Sequence, residues 1–499
     1  MISRMLEPNP LHWTVCRLWL LALVALAPAA ARAQSSNLLS EKQVTFLQNA
    51  AQGRYSGRWI EAGSNELRTL RLRAERHDAE IQKQHLVGGL IVSKRYSDTH
   101  RTNVVSYEAV ESSAALTGLY LTAMSYWFSV DVKPKALDHI RTGLTGIENL
   151  MEASGRTGFL PGFAGPASDP AYKRTYSTLG GADPARPGFG KLAYPGKGDQ
   201  VWVGGTTRET YSTVVLGLAT VYKRIRDPRI RTRASNLIEQ IIVRLEADQW
   251  RIEDGHGHQE FIPPMQKAAI LRAGASINPN RHSRSYEAAA RLALEYPTPL
   301  PPRFGESRGP VLAIADLVTL TSLETNETRA LGFQNRLTQV WRKSGNDLNP
   351  WLAAAYVNAF DHPPNDMLAN ATLQGVLLVY PEPPRWQRAA IPASTNEITV
   401  EANGRQWYRD ARLPHLRPSR PFSWDSPARE TDPGVSEDVV HTGVDYLTAF
   451  WMARDAGILQ HEDSIAEKKP KVRAKLTNSP ARPVLPMPPN APNRPAAGK

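Results

Sequence analysis

One pattern occurs twice along the chain and limits its fold more than any other feature. Residues 111–130 are apolar almost all round, which suits a helix that is buried on every side. After an aspartate and a proline, residues 134–152 carry apolar side chains only at helical spacing, which indicates a helix that buries one face. The same order returns at 209–225 and after Pro228. The repeat therefore predicts inner helices alternating with outer helices.

Helical patterns also cover most of the remaining chain, at about 40–50, 62–84, 265–273, 283–296, 310–323, 328–343, 347–359, 366–379 and 437–455. Strand signals are few, and the best is a hairpin at about 397–410 with its turn at Asn403-Gly404. Paired helices with alternately full and half burial close most economically into a ring. We therefore predict an all-α fold, an (α/α)6 toroid with a minor β-hairpin. The alternative is an open α-solenoid.

The first 33 residues have the pattern of a cleaved secretory signal. An apolar run over 18–27 is followed by the small residues Ala31 and Ala33, where we expect cleavage. The run is too short to span a bilayer, which takes about 20 residues. The only cysteine, Cys16, lies inside this segment, so the mature protein has neither a thiol nor a disulfide. We expect a periplasmic or secreted protein.

The net charge of +12 is concentrated at the two ends. The first 33 residues carry +2 and residues 464–499 carry +7, which leaves +3 for residues 34–463. That balance is too close to neutral to indicate a nucleic-acid partner. We expect 34–463 to form the catalytic or binding toroid domain. The proline-rich, basic tail at 464–499 should be disordered, either as a bare linker or as a contact with an anionic envelope surface.

Two loops are far longer than ordinary connections, at 154–205 and 380–434. Loops of this length are usually functional or disordered, and their aromatic content argues against disorder. We expect the first to fold over one mouth of the toroid without helix and to stack its rings on sugar faces, or else to pack as a stabilising lid. The substrate-binding candidates are Phe163, Tyr176, Tyr194 and Trp202 in the first loop, Trp407 and Trp424 in the second, and His256 between them.

Acidic residues occur where the predicted inner helices begin. Glu111, Glu209 and either Asp438 or Asp445 have this position, where the helix dipole favours negative charge. Glycosidic hydrolysis needs one protonated and one ionised carboxyl group across the scissile bond. Glu209 is the first candidate for the catalytic acid, with Glu111 or Asp445 as the complementary carboxylate. The alternative for each is simple helix capping.

Several short segments resemble a group of bacterial secreted six-hairpin toroid proteins within the six-hairpin glycosidase-like superfamily. The similar segments are Thr117 to Tyr120, Glu152 to Leu160, Gly205 to Glu209, Phe422 to Pro427, and Gly443 to Arg454. The superfamily contains many glycoside hydrolases and some polysaccharide lyases, so the resemblance implies the fold more directly than the function. This chain also departs from the pattern at Gly205, where the group usually has an acidic residue.

A lyase would use different residues. It needs a tyrosine or histidine to remove a proton next to a uronate carboxylate, and an arginine or amide to neutralise that carboxylate. Arg208, Tyr211, His441 and Asn349 are the candidates, with structural ion pairs or hydrogen bonds as their alternative roles. We expect His441 on the last helix, one turn before the aspartate of that helix and on the same face.

Other site chemistries have weak or missing signals. The His256 and His258 spacing suits a metal only weakly, so we predict no metal site and no cofactor. No glycine-rich phosphate loop or G-x-S-x-G elbow is present in the sequence.

We therefore expect an exported carbohydrate-active enzyme, with hydrolysis ahead of β-elimination and a carbohydrate as the partner. The alternative from another class is a non-catalytic glycan-binding envelope protein. A helical-barrel cyclase or lipid-handling protein is a weaker third possibility, and the sequence leaves the oligomeric state open.

Overall fold

The protein is described by a computed structural model over residues 38–54, 58–179, 193–253, 259–296, 311–387, 398–400, 406–408, 412–413, 417, 419–425, 429 and 438–459. The chain divides into two units, Met1–Glu462 and Asp463–Lys499. The second unit and residues 1–37 lie outside the described residues, so the signal and the tail stay predictions. Within the described residues, no helix is long and apolar enough to cross a membrane.

Fourteen α-helices are present in the described residues. They are α1 Glu41–Ala51, α2 Ser64–Glu80, α3 Ser113–Asp131, α4 Pro134–Ser154, α5 Pro170–Thr178, α6 Arg208–Arg224, α7 Pro228–Ala247, α8 Pro264–Ile277, α9 Pro279–Glu295, α10 Val311–Leu323, α11 Glu327–Ser344, α12 Pro350–Asn358, α13 Met367–Ala371 and α14 Val444–Asp455. One-turn π-helices, Ile81–His85 and Thr372–Val376, extend α2 and α13.

Six of these helices form an inner ring. Helix α3 contacts α6, α6 contacts α8, and the series continues through α10 and α12 to α14, which returns to α3. The other six pack outside the ring: α4, α7, α9, α11, α13 with its π-turn, and α2. Helix α3 is buried from Ser113 to Trp127, as its all-round apolar sequence predicts, whereas α4 buries a single stripe. The predicted (α/α)6 toroid is confirmed, and the open solenoid is excluded by the α14–α3 contact.

Inner helices α3 and α6 meet backbone to backbone. A Cβ added at Gly118 would overlap the carbonyl of Thr213, and one added at Gly217 would overlap the carbonyl of Gly118. Only glycine lets two helices approach so closely. Gly118 belongs to one of the segments on which the family resemblance rests, so that segment has a packing role.

The strands occur in small sheets near the loops. They are β1 Leu86–Val87, β2 Leu90–Ile91, β3 Ser93–Tyr96, β4 Val104–Glu108, β5 Phe163–Pro166, β6 Ala193–Pro195, β7 Gln200–Val203, β8 Arg251–Glu253, β9 Gln259–Phe261, β10 Arg385–Trp386, β11 Ile398–Val400, β12 Gln406–Tyr408 and β13 Val439–His441. One sheet has the order β10-β13-β3-β4 and another has the order β5-β7-β6. The antiparallel pair β11-β12 confirms the predicted hairpin strands, while the turn residues Asn403 and Gly404 lie outside the described residues.

Two predictions about these segments are wrong. The 154–205 loop is not free of helix, because Asp169 accepts hydrogen bonds from two backbone N–H groups of α5 and starts it ahead of Pro170. The last helix does not begin at 437, because the preceding residues pair with β3 as strand β13. His441 therefore lies on a strand and not one turn before Asp445 on a helix.

All six inner helices point the same way. Each inner-to-outer connection from α3, α6, α8 and α10 is short, whereas the long loops lead from an outer helix back to an inner one. The N-termini of the inner helices therefore gather at one end of the ring, which we call the mouth. Sheet β10-β13-β3-β4 and sheet β5-β7-β6 both lie in loops that feed this end.

Candidate functional site at the mouth of the ring

Glu111 lies at the mouth in the short 3-10 turn Val110–Ser112 that leads into α3. Its neighbours are glycines: a Cβ at Gly162 would lie 2.6 Å from the Glu111 Cα, and one at Gly205 would lie 3.5 Å from its Cβ. The Gly162 carbonyl also accepts a hydrogen bond from the Ala114 N–H at 3.0 Å. The Glu111 side chain is half-buried, so the predicted carboxylate is at the mouth and within reach of solvent.

Glu209 is the second residue of α6 and is also half-buried. Thr207 caps the helix by accepting a hydrogen bond from the Thr210 N–H at 3.3 Å. Ahead of this cap, Gly205 has φ of 82°, a left-handed conformation that an acidic residue rarely adopts. Glycine suits this conformation because it has no Cβ. Gly205 thus lies close to Glu111 in space and four residues before Glu209 along the chain.

Arg208, the first residue of α6, connects the mouth to β9 and α8. Its Nε lies 3.2 Å from a carboxylate oxygen of Glu260, an ion-pair contact without good hydrogen-bond alignment. Its carbonyl accepts a hydrogen bond of 2.6 Å from the Gln266 side-chain amide. The sequence prediction placed Arg208 and Tyr211 on one helix face, but Tyr211 is only 2% exposed while Arg208 is half-exposed. Burial raises the pKa of Tyr211 far above its usual range, which makes it a poor base.

Asp316 is the residue that sequence reasoning missed. It lies in the second turn of inner helix α10, is 3% exposed, and accepts a hydrogen bond of 2.7 Å from the Ser212 hydroxyl. Burial raises its pKa from 3.8 to about 7, against the opposing effects of the Ser212 hydrogen bond and the positive charge of Arg208. A sequence signal was present, because Asp316 is the only charged residue in the apolar run of residues 311–323.

Asp316 and Glu209 are connected through α6. Ser212 follows Glu209 by three residues, which places both on the same face of the helix. The rise between them is roughly 4.5 Å along the helix axis. Asp316 therefore lies about one helical turn deeper in the ring than the Glu209 position. A carboxyl group with a pKa near neutrality, close to a half-exposed carboxylate, is the kind of pair that acid–base chemistry uses.

Asp445 lies in a dense network of hydrogen bonds. It is fully buried and accepts hydrogen bonds from Arg385 Nη1 at 2.9 and 3.0 Å, from the Tyr380 hydroxyl at 2.6 Å, and from the Ser423 and Tyr446 N–H groups at 2.9 and 3.0 Å. This network fixes the start of α14 to the 380–434 segment. Asp438, the other acid named for this helix, precedes β13 and pairs with Arg95 at 2.8 Å.

His441 and Asn349 have structural contacts. The His441 Nδ1 lies 3.1 Å from the Ser93 hydroxyl on the neighbouring strand β3, and the ring is 4% exposed. Burial, with a smaller effect of Arg385, lowers its pKa to about 3, so the imidazole stays neutral. Asn349 caps α12 and donates a hydrogen bond of 2.9 Å to the Trp424 carbonyl. Neither His441 nor Tyr211 lies at an open surface.

Most of the predicted aromatic residues are buried in the protein. Phe163 and Trp424 have no exposed area, and Trp407 and Trp202 are 3% and 5% exposed. Trp202 stacks on Tyr194 with the ring centroids 4.3 Å apart, and Tyr194 keeps partial exposure. Tyr176, which packs edge-on against a buried tyrosine of α5, is also partly exposed. In this conformation, stacking on a sugar is open to Tyr176 and Tyr194 and closed to Phe163 and Trp424.

Two further predictions concern His256 and metal binding. His256 and His258 lie outside the described residues. Among the residues that the structure does describe, no cluster of three or more His, Cys, Asp or Glu side chains has a geometry that would hold a metal ion.

The fold and this mouth define the class of the protein: an (α/α)6 toroid with four carboxyl groups near the N-termini of its inner helices. No family model matches the chain, and no curated protein matches it by sequence. The chain is similar to solved structures that include an inactive variant of an α-1,6-mannanase from Salegentibacter with α-1,6-mannotriose (10% identity, 78% of this chain and 99% of that one, TM-score 0.37).

Two others are a cellobiose 2-epimerase from Spirochaeta thermophila (10% identity, 80% and 99%, TM-score 0.35) and an endoglucanase from Clostridium thermocellum with cellotriose (12% identity, 69% and 62%, TM-score 0.35). Likenesses at these TM-scores carry no argument about function. The residues at the mouth are therefore the basis for assigning a function.

Proposed function

We propose that this protein is an exported carbohydrate-active enzyme that hydrolyses glycosidic bonds of a poly- or oligosaccharide at the mouth of the ring. The observation that carries the proposal is the buried Asp316, whose pKa is about 7 and whose hydrogen-bond donor Ser212 lies one turn after the half-buried Glu209 on α6. Hydrolysis needs an acid that still holds its proton near neutral pH and a second carboxylate that stays charged.

In this proposal the residues have separate roles. Asp316 holds the proton that the leaving oxygen receives, and the Ser212 hydroxyl keeps its carboxyl group oriented. Glu209 or Glu111 supplies the charged carboxylate that activates water or stabilises positive charge on the sugar. Arg208, fixed by Gln266 and Glu260, adjusts the electrostatic potential between them. Asp445 has no role in the reaction here, because its contacts hold α14 in place.

The first test is a product assay with mature protein and a panel of neutral and uronate-containing glycans. New reducing ends without unsaturated ends are expected for hydrolysis. Glu209→Gln and Asp316→Asn should each lower kcat by at least about 100-fold, the usual range for loss of acid–base catalysis. Glu287→Gln, which removes an exposed carboxyl group on α9, should leave kcat unchanged. Full turnover in both variants of the mouth would refute the assignment.

β-Elimination is the second candidate reaction. The raised pKa of Tyr211 and the low pKa of His441 count against it, because the tyrosine keeps its proton near neutral pH and the imidazole is a weak base. Unsaturated products in the same assay would favour elimination.

A non-catalytic glycan-binding protein is favoured by one observation, the glycine at 205 where the resembling group has an acid. Binding of a glycan without any product would favour this alternative.

A further inference from the structure

A row of side chains crosses the four-stranded sheet at the mouth. In the register of this sheet, Tyr107 on β4 lies opposite Lys94 on β3, Lys94 lies opposite Val440 on β13, and Val440 lies opposite Trp386 on β10. Residues that are directly opposite in neighbouring strands point to the same face. Tyr96, two residues beyond Lys94, joins this face, and its ring lies 6.2 Å from that of Trp386. The face therefore combines aromatic rings with one ammonium group. Lys94 and Trp386 are its partly exposed members, whereas Tyr96, Tyr107 and Val440 are buried.

Lys94 lacks a counter-charge. Among the described residues no carboxylate lies within ion-pair distance of its Nζ, which sits 5.6 Å from the centre of the Tyr107 ring. Asp169, the acid whose charge acts on Lys94, already accepts hydrogen bonds from two backbone N–H groups of α5 and from the Tyr107 hydroxyl at 2.6 Å. Partial burial lowers the pKa of Lys94, and the attraction of Asp169 offsets this only in part.

The other two cations of this sheet are neutralised. Arg95 pairs with Glu108 and Asp438 at 2.8 Å each, and Arg385 pairs with Asp445 at 2.9 Å. A partly buried charge without a partner is unfavourable, and an anion that binds beside it recovers the lost interaction energy. Lys94 is therefore the cation of this sheet that has free capacity for an anionic ligand.

This face adjoins the proposed catalytic carboxylates. The Tyr107 ring, over which Lys94 lies, packs edge-on against Phe163 with the ring centroids 6.0 Å apart. The residue before Phe163 is Gly162, and its backbone lies against that of Glu111, because a Cβ added at Gly162 would lie 2.6 Å from the Glu111 Cα. These contacts connect Lys94 to the Glu111 backbone through intervening side chains, so we assign Lys94 to a neighbouring sugar-binding subsite and not to the bond that is cleaved.

We propose that Lys94, together with Trp386, binds a uronate residue of an acidic glycan. The ammonium group pairs with the sugar carboxylate, and the partly exposed Trp386 ring packs against the sugar face. This inference rests on the proposed function and adds to it the class of substrate, a glycan that carries carboxylates. It also gives the sheet a role in selecting substrate, apart from the carboxyl groups that carry out the reaction.

The test compares binding of two probes that differ only in charge: polygalacturonate and the same polymer after reduction of its carboxylates to alcohols. Dissociation constants are measured by calorimetry for the wild type, Lys94→Gln, Lys94→Arg and Lys173→Gln. The last variant removes an exposed lysine of α5 and serves as the matched control. Thermal melting of each variant confirms that it is folded, and Lys94→Arg keeps the charge if Lys94→Gln is unstable.

The expected result is that Lys94→Gln binds polygalacturonate at least about tenfold more weakly, while its binding of the reduced polymer is unchanged. Lys94→Arg and Lys173→Gln should stay within about threefold of the wild type. Equal weakening by the two glutamine variants, or equal binding of both polymers by the wild type, would overturn the inference.

Two outcomes separate this inference from the proposed function. A wild-type protein that cleaves a neutral glycan but does not bind polygalacturonate would overturn the uronate assignment and leave the hydrolase proposal standing. A protein that neither binds nor cleaves any glycan of the panel would refute both.

Discussion

The buried carboxyl of Asp316 makes a quantitative prediction about stability. In the folded protein its pKa is about 7, and in an unfolded chain it is close to 3.8. The two states therefore hold different numbers of protons between about pH 4 and 7, and the folded state holds more. The contribution of this group to the free energy of unfolding is fully present below pH 3.8. It falls by about 1.4 kcal/mol per pH unit as the pH rises toward 7, and above pH 7 it is lost. Because Asp316 is only 3% exposed, the full effect of order 4 kcal/mol applies without a discount for solvent screening.

The variant Asp316→Asn tests this directly, since an amide keeps an acceptor for the Ser212 hydroxyl and cannot ionise. The free energy of unfolding is measured by urea titration from pH 4 to 9 for the wild type, this variant and the exposed control Glu287→Gln. Relative to Asp316→Asn, the wild type should lose stability steadily up to about pH 7 and then run parallel to it. A difference that stays constant over this range would show that Asp316 ionises normally, and the proposed acid would be refuted.

Three further predictions concern structural residues. Gly118→Ala should lower the free energy of unfolding by about 1–3 kcal/mol, because its Cβ meets the Thr213 carbonyl, and a urea titration measures this. Asp445→Ala leaves Arg385 buried without its partner and should lower stability by about 3–5 kcal/mol in the same assay. His441 has a folded pKa of about 3 against 6.5, so its contribution is fully present above pH 6.5 and is lost as the pH falls toward 3. His441→Gln should therefore flatten acid unfolding over that range.

Controls separate these effects from general damage. The Cβ that Gly63→Ala adds would meet only the flexible end of a glutamate side chain. This variant should therefore lower the free energy of unfolding much less than Gly118→Ala does. If both alanine variants lower the free energy of unfolding equally, the close contact between α3 and α6 is not the cause of the loss at Gly118. For Asp445, the double variant with Arg385→Met should recover stability, and its failure to do so would show that the buried charge is not the source of the loss. An unchanged acid slope in His441→Gln would contradict the low pKa.

Helical periodicity carried most of the fold prediction. Helices such as α4 and α7 lie close to the ranges that the sequence predicts, because their apolar stripes and proline starts are local signals. The prediction failed where pairing across the chain decides the structure. Val439–His441 reads as the start of a helix, yet it forms a strand because β3 and β10 lie on either side of it. No local pattern marks a strand whose partners are about 50 and 350 residues away.

The site was predicted less well, for a related reason. Aromatic residues in a long loop are candidates for binding, but their sequence does not say which face of each ring is covered. Phe163 is covered by tyrosines of α5 and β4, and Trp424 donates its indole N–H to the Asp445 carbonyl at 2.7 Å. Both are held by contacts that form only after the loops fold back on the ring.

Asp316 shows which sequence feature would have predicted the candidate acid better than a position at a helix start. A charged residue inside an otherwise apolar inner helix cannot reach solvent by rotating to an outer face, because the helix has none. Its burial cost must be offset by partners or accepted as a raised pKa, and here a single serine hydrogen bond leaves the pKa near neutrality. Asp445 meets the same constraint with Arg385 and Tyr380 and becomes structural. The number of compensating partners, more than the position at a helix start, therefore separates the candidate catalytic acid from the structural one.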